Sequence, residues 1–165
     1  MSCVVQRLND EMRASLVTHF LSLPLKDRSL RFGSAVVPTL IAAYVDRIDF
    51  SRDAVFGVKD GWQALVGAAH LAIEDGRAEL ALSVLPSYRA SGIGSSMFAR
   101  AVAHARNGRI AQLYMHCRVG NAPIMRIAQR FGMDIIATGG DADAYLQLQS
   151  AYPQRVSVGV GESVL

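Results

Sequence analysis

Between Ala78 and Ala105 the hydrophobic pattern changes period, and the change falls on a proline and two glycines. Ala78–Leu85 alternates, with Ala78, Leu80, Leu82 and Val84 on one face and Glu79, Ala81, Ser83 and Leu85 on the other, as a strand does. Past Pro86, Ile93, Met97, Ala101 and Ala105 recur at helical spacing with Phe98 and Val102 beside them, which predicts a helix from about Gly92 to Ala105. A strand feeding a helix through a glycine-bearing turn commits this part of the chain to an α/β architecture, the helix packing on the sheet.

The flanking segments extend that reading. Val4–Leu8 is a short strand candidate. Asn9–Leu23 predicts a helix, capped by Asn9 or Asp10 and stopped by Pro24. Leu25–Phe32, with Lys26, Asp27, Arg28 and Arg31 in close order, reads as a charged connector, and Val36–Ile48 as a second helix with Pro38 in its first turn. Strands follow at Ala54–Val58 and Trp62–Ile73, separated by Asp60-Gly61 and closed by Glu74-Asp75-Gly76; Trp62 is expected in the core. Downstream, Ile110–Cys117 reads as a strand and Asn121–Arg130 as an amphipathic helix ended by Gly132. Asp134–Thr138 and Ala144–Leu148 form a hairpin around Gly139-Gly140-Asp141. The sum is one domain over residues 1–150, a mixed α/β sheet with helices on both faces. Residues 151–165 are a C-terminal tail, an edge strand or a dimer arm, so a homodimer through them is an expectation.

Composition narrows the class. The 165 residues are 51% hydrophobic and 19% charged, a globular balance, and a net charge of +3 is too small and too scattered to indicate nucleic acid. Two cysteines, Cys3 and Cys117, lack metal-type spacing and make no disulfide framework, which points to a reducing, cytoplasmic setting. Arg7, Asp10, Glu11 and Arg13 leave no apolar run for a signal peptide, and no stretch approaches the roughly 20 residues of a bilayer span.

The chemistry concentrates at the period change. Amides at a helix N-terminus lack intrahelical partners and sit at the positive end of the macrodipole, so Gly92, Ile93, Gly94 and Ser95 offer a cradle for an anion such as a diphosphate. Arg89 adds charge-assisted hydrogen bonds. A nucleotide P-loop would carry Lys and then Ser or Thr after its second glycine, where Ser95-Ser96 stand here. A dinucleotide fingerprint would need a third glycine. A purely structural turn is the remaining alternative.

Arg89-x-x-Gly92-x-Gly94, led in by Val84-x-Pro86, resembles the (Arg/Gln)-x-x-Gly-x-(Gly/Ala) signature of the GNAT acetyltransferases. The helix opened by Asn121 and ended by Gly132-Met133 resembles the family's second cofactor segment, with Met133 where Phe is usual. The resemblance covers nearly the whole chain. It implies the GNAT fold: a mostly antiparallel sheet of six or seven strands, splayed between two central parallel strands, here Ala78–Leu85 and Ile110–Cys117. It further implies acetyl-CoA as co-substrate, with no metal. The pantetheine arm would bond the backbone near Ser83 and Val84, and an amide there would polarise the thioester carbonyl. The diphosphate would rest on Arg89, Ala90, Ser91, Gly92, Ile93, Gly94 and Ser95, with Asn121 as a further contact.

An amine must lose a proton before attacking a thioester, so a general base is expected. Glu79 is the candidate: its strand face is otherwise small (Ala81, Ser83), and Ala78-Glu79-Leu80-Ala81 resembles the context of the catalytic glutamate in histone-type GNAT enzymes. The competing role is a strand-edge carboxylate paired with Arg77. The tyrosine that many family members carry seven residues after the helix-opening Asn is Ala128 here, so the family's general acid is missing. Tyr88 and Tyr114 are the remaining phenols. His116 and Cys117 are neighbours on one strand and point to opposite faces, which excludes a direct dyad. His19, His70 and His104 form no metal site. The acceptor is a primary amine: Leu25–Phe32 resembles a segment of bacterial protein-lysine acetyltransferases, favouring a protein lysine. A small amine would instead need Asp46, Asp49 or Asp53 at the cleft, and a non-catalytic acyl-CoA sensor is a further alternative.

Overall fold

The computed structural model describes residues 3–34 and 36–148; the tail at 151–165, with its dimer arm, lies outside them. Seven strands form one sheet in the order β1-β2-β3-β4-β5-β7-β6. They are β1 (Gln6–Arg7), β2 (Ala54–Lys59), β3 (Leu65–Glu74), β4 (Arg77–Val84), β5 (Gln112–Arg118), β6 (Asp134–Thr138) and β7 (Asp141–Gln147). Every neighbouring pair is antiparallel except β4 and β5, which run parallel. Five α-helices cover the faces: α1 (Arg13–Ser22), α2 (Leu25–Phe32) and α3 (Pro38–Asp46) on one side, α4 (Ile93–Asn107) and α5 (Ala122–Arg130) on the other.

The alternation read in β4 sorts its side chains as expected. Ala78, Leu80 and Leu82 are buried against α4 together with Met97, Phe98 and Ala101, and β5 adds Leu113 and Met115 to the same core. On the opposite face a second core joins Leu16 and Phe20 of α1 to Ile41 and Val45 of α3, over Val55 and Ala68 of the sheet. His116 is exposed and Cys117 buried, as the strand period requires. Burial raises the Cys117 thiol pKa, with the Asp143 charge adding to it, so Cys117 behaves as a core residue.

Two sequence expectations are corrected. Leu25–Phe32 is a helix, not a connector: it follows Pro24, carries Asp27 in its first turn and Arg31 in its last, and ends on Gly33 at φ 80°. Its charges hid this, because no residue of the helix is fully buried. Trp62 is 91% exposed, since β3 begins at Leu65. The preceding turn is organised by Asp60, whose Oδ1 accepts from the amides of Trp62 (2.9 Å) and Ala64 (3.0 Å), while Gln63 takes φ 68°. A smaller shift is that the first helix opens as a 3₁₀ turn, Asp10–Met12, with Asn9 accepting from the Glu11 amide.

Candidate active-site cleft

The parallel pair is short. Only Arg77–Glu79 of β4 match Gln112–Tyr114 of β5, whereas β4 continues to Val84 and β5 to Arg118. Each strand stays fully paired on its other side, to β3 and to β7. The sheet therefore parts into a V beyond Glu79, and backbone groups of β4 from Leu80 onward have no strand facing them there. A cleft of about 850 Å³ opens into this V. Its walls are β4, the start of α4, the start of α5 and, from across the opening, the side of α2 that carries Lys26, Asp27, Leu30 and Arg31.

The α4 end of the cleft is built for an anion. Gly92 takes φ 85° and Ala90 φ 58°, turning the chain so that the first amides of α4 meet the opening. No side chain caps that terminus, so those donors are open to a ligand. Gly94 has a different reason for its identity: a Cβ there would stand 2.9 Å from Ile127 Cδ1 of α5. Lys26, Arg89, Arg126 and Arg130 border the same space, with Asp27 the one carboxylate among the lining residues.

Most of the residues singled out in the sequence converge here. Ser83, Val84, Arg89, Ala90, Gly92, Ile93, Gly94, Ser95 and Asn121 all line the cleft. Arg89 is held twice, by Nε to the Val84 carbonyl (3.0 Å) and by Nη2 to Asp27 of α2 (3.1 Å). Ser95 Oγ accepts from Arg130 (2.8 Å), and Asn121 caps α5 through the Ile124 amide (3.5 Å). Ser91 is not among the lining residues; its hydroxyl turns back to the Tyr88 carbonyl. Glu79 does not line the cleft either. It stands at the vertex of the V, in register with Tyr114. Burial raises the Tyr114 pKa and the Glu79 charge adds to the effect. Tyr88 lines the cleft with its hydroxyl committed to Asp60 (3.2 Å).

Sequence reasoning missed the supporting polar chain on the α1–α3 face. His19 is buried; its Nδ1 meets the Leu65 carbonyl (3.0 Å) and its Nε2 meets Ser83 Oγ (2.8 Å). A carbonyl partner requires Nδ1 to carry the proton, so the Ser83 hydroxyl donates to Nε2. Burial pushes the His19 pKa down to about 4, with Arg31 contributing, so the ring is neutral at neutral pH. Beside it, Asp53 accepts from His70 Nε2 (2.8 Å), His70 Nδ1 lies 2.5 Å from the Tyr44 hydroxyl, and Tyr44 accepts from Arg31 Nη2 (2.9 Å). Burial alone would raise the Asp53 pKa; its bonds to Arg52, His70 and the Ile73 amide outweigh that and lower it. Burial lowers the His70 pKa against the pull of Asp53. Spacing in sequence carries no signal for this set, which three helices and two strands bring together. Asp46, Asp49 and Asp53 all lie off the cleft.

The sequence model of the acetyltransferase (GNAT) family matches residues 25–133, more than half of the chain. The chain belongs to the GNAT acetyltransferase family. Solved GNAT structures share its fold at low identity. The GNAT domain of PAT from S. lividans is 18% identical with a TM-score of 0.77, over 88% of this chain and 90% of that one. Spermidine N-acetyltransferase from Vibrio cholerae, solved with CoA and spermine, is 16% identical with a TM-score of 0.70, over 90% and 96%. A phosphinothricin acetyltransferase from Sinorhizobium meliloti, solved with AcCoA, is 13% identical with a TM-score of 0.72, over 100% and 98%. No curated protein matches the chain in sequence. The seven-stranded mixed sheet with its single parallel pair is the GNAT fold. Among the described residues no helix is long and apolar enough to cross a membrane, and no three metal-ligating side chains gather.

Proposed function

We propose that this GNAT domain transfers the acetyl group of acetyl-CoA to a primary amine, of a protein lysine or of a small molecule, by direct attack in a ternary complex. The observation that carries the reading is the cleft itself: an uncapped helix N-terminus and four cationic side chains beside unpaired β4 backbone, in a V whose vertex holds Glu79. That sequence of features suits a long ligand with an anionic head and an amide-bearing arm. The structural neighbours crystallised with CoA and AcCoA support the choice of co-substrate.

Acetyl-CoA supplies the activated acetyl thioester. The α4 amides and Arg89 hold its diphosphate, which requires Arg89 to exchange Asp27 for phosphate. Backbone groups near Ser83 and Val84 pair with the pantetheine amides, and an amide there polarises the thioester carbonyl. Glu79, at the vertex, takes the proton of the incoming ammonium directly or through water, so that the nitrogen attacks with its lone pair free. The C–N bond forms as the C–S bond breaks, and the thiolate leaves with a proton drawn from water. Ala128, buried where a family tyrosine would stand, offers no acid.

The test is CoA release from acetyl-CoA, followed with a thiol-reactive dye across lysine-bearing proteins, polyamines and amino acids. Turnover with one acceptor, reduced about 10²-fold or more in Glu79→Gln with acetyl-CoA binding retained, is the expected result. Binding without turnover across the panel would favour a sensor, and failure to bind acetyl-CoA would remove the reading.

A further inference from the structure

Arg31 stands where the cleft meets the α1–α3 face, and among the described residues it has no anionic partner. The ion pairs there use Asp10, Asp53, Asp27 and Asp143, none of them with Arg31. Its guanidinium is set among the rings of Phe32 (4.7 Å), Phe20 (5.3 Å) and Tyr44 (5.4 Å), and one Nη2 donor goes to the Tyr44 hydroxyl. Its Nε is buried with no hydrogen-bond partner at all. A guanidinium has five N–H donors, and taking one partly out of water without a counter-charge is costly. The residue fits a site that receives its anion from outside.

Position along α2 says which anion. Asp27 reaches Arg89, at the diphosphate end of the cleft. Arg31 is one helical turn further on, about 6 Å along the axis, and points away from that end toward Tyr44 and His70. His70 is opposite Ala81 on β4, and Glu79 lies two residues from Ala81 on the same face of the strand. Arg31, joined to His70 through Tyr44, and Glu79 therefore stand on the same face of the sheet. An ammonium suits the Glu79 side and a carboxylate the Arg31 side, whereas a polyamine, cationic along its length, would be repelled by Arg31.

We propose that Arg31 binds a carboxylate of the acceptor, so that the amine acetylated belongs to a free amino acid or a closely related amino carboxylate. The proposal rests on the reading of the domain as an amine acetyltransferase. Arg31 presents its remaining N–H donors to the carboxylate, and the Tyr44 bond and the three rings keep it from folding back into the sheet.

The experiment compares kcat/KM for the amino acids and for the corresponding amino-acid amides, in the wild type, Arg31→Gln and Arg31→Lys. Each amide keeps the amine and loses the negative charge. The wild type is expected to favour the acids by roughly tenfold to a hundredfold, the worth of a charge-assisted contact. Arg31→Gln is expected to bring the ratio close to one through KM, with Arg31→Lys recovering part of it. Thermal unfolding midpoints show that the variants are folded. Acids and amides used equally by the wild type, or a preference that survives Arg31→Gln, overturn the proposal. So does turnover confined to polyamines or protein lysines. Weaker acetyl-CoA binding by Arg31→Gln in calorimetry, with the ratio unchanged, would assign Arg31 to the cofactor and also overturn it. If no amine is acetylated, calorimetry on the CoA-loaded protein decides: carboxylate-dependent, Arg31-dependent binding of amino acids upholds the assignment while the catalytic reading fails, and its absence ends both.

Discussion

His19 makes the stability of this domain sensitive to mild acid in a way that can be isolated. The ring is buried and neutral, receiving the Ser83 hydroxyl proton at Nε2 and giving its own Nδ1 proton to Leu65. Its pKa falls from 6.5 to about 4 on folding, mainly through burial. A depressed folded pKa means that the unfolded chain binds the proton more readily. The contribution is thus complete above about pH 6.5 and is lost as pH falls toward about 4. The full shift corresponds to roughly 3 kcal/mol, of which about 2 kcal/mol is lost between about pH 7.5 and 5. His19→Gln keeps a polar group in place and cannot titrate. Urea unfolding of both proteins at the two pH values gives a double difference from which the other histidines cancel. The wild type is expected to lose about 2 kcal/mol more than the variant. Equal losses would refute the assignment of a buried neutral ring, and with it the direction of the Ser83 hydrogen bond.

Three further outcomes follow from the geometry. Gly92→Ala places a Cβ at φ 85° and should cost about 1 kcal/mol in urea unfolding while weakening acetyl-CoA binding in calorimetry. Asp27→Asn frees Arg89 from its ion pair; acetyl-CoA affinity should rise severalfold, and stability should change by no more than about 1 kcal/mol because the pair is partly exposed. Trp62→Ser, at a side chain that is 91% exposed, should leave the unfolding free energy within about 0.5 kcal/mol, and a larger loss would mean that the indole is packed after all.

What could be read in the sequence was what repeats or what is local. The alternation of Ala78–Leu85, the helical stripe through Ile93, Met97 and Ala101, and the Asn121 cap each depend on a few adjacent residues, and each stands in the fold as read. The glycines were legible as a turn, but their separate tasks were not: Gly92 answers to a backbone angle and Gly94 to Ile127 across a helix contact. Two errors have one source. Charge in Leu25–Phe32 argues for a connector and the ring of Trp62 for the core, whereas a short helix beside a cleft need bury no residue fully and a turn held by Asp60 needs no buried indole. The polar chain through Asp53, His70, Tyr44 and Arg31 unites residues from four distant stretches of sequence, and only the fold makes them neighbours.

The three-residue match between β4 and β5 has a mechanical meaning. It divides the sheet into two panels, β1–β4 and β5–β7, stitched by a seam only three residues long. Backbone bonding can contribute little to keeping the panels in step, so that task falls to the core beneath them. There Phe98 and Met97 of α4 touch a cluster fed by Phe56 and Leu80 from one panel and by Leu113 and Met115 from the other. The helix packs on β2, β3 and β4 of the first panel and reaches the second through the shared core and the contact of Phe98 with Phe131 (4.3 Å between ring centroids). Truncating Phe98 would loosen the angle between the panels before it loosened either panel, and amides flanking the seam would exchange with solvent ahead of those inside β2–β3 or β5–β7.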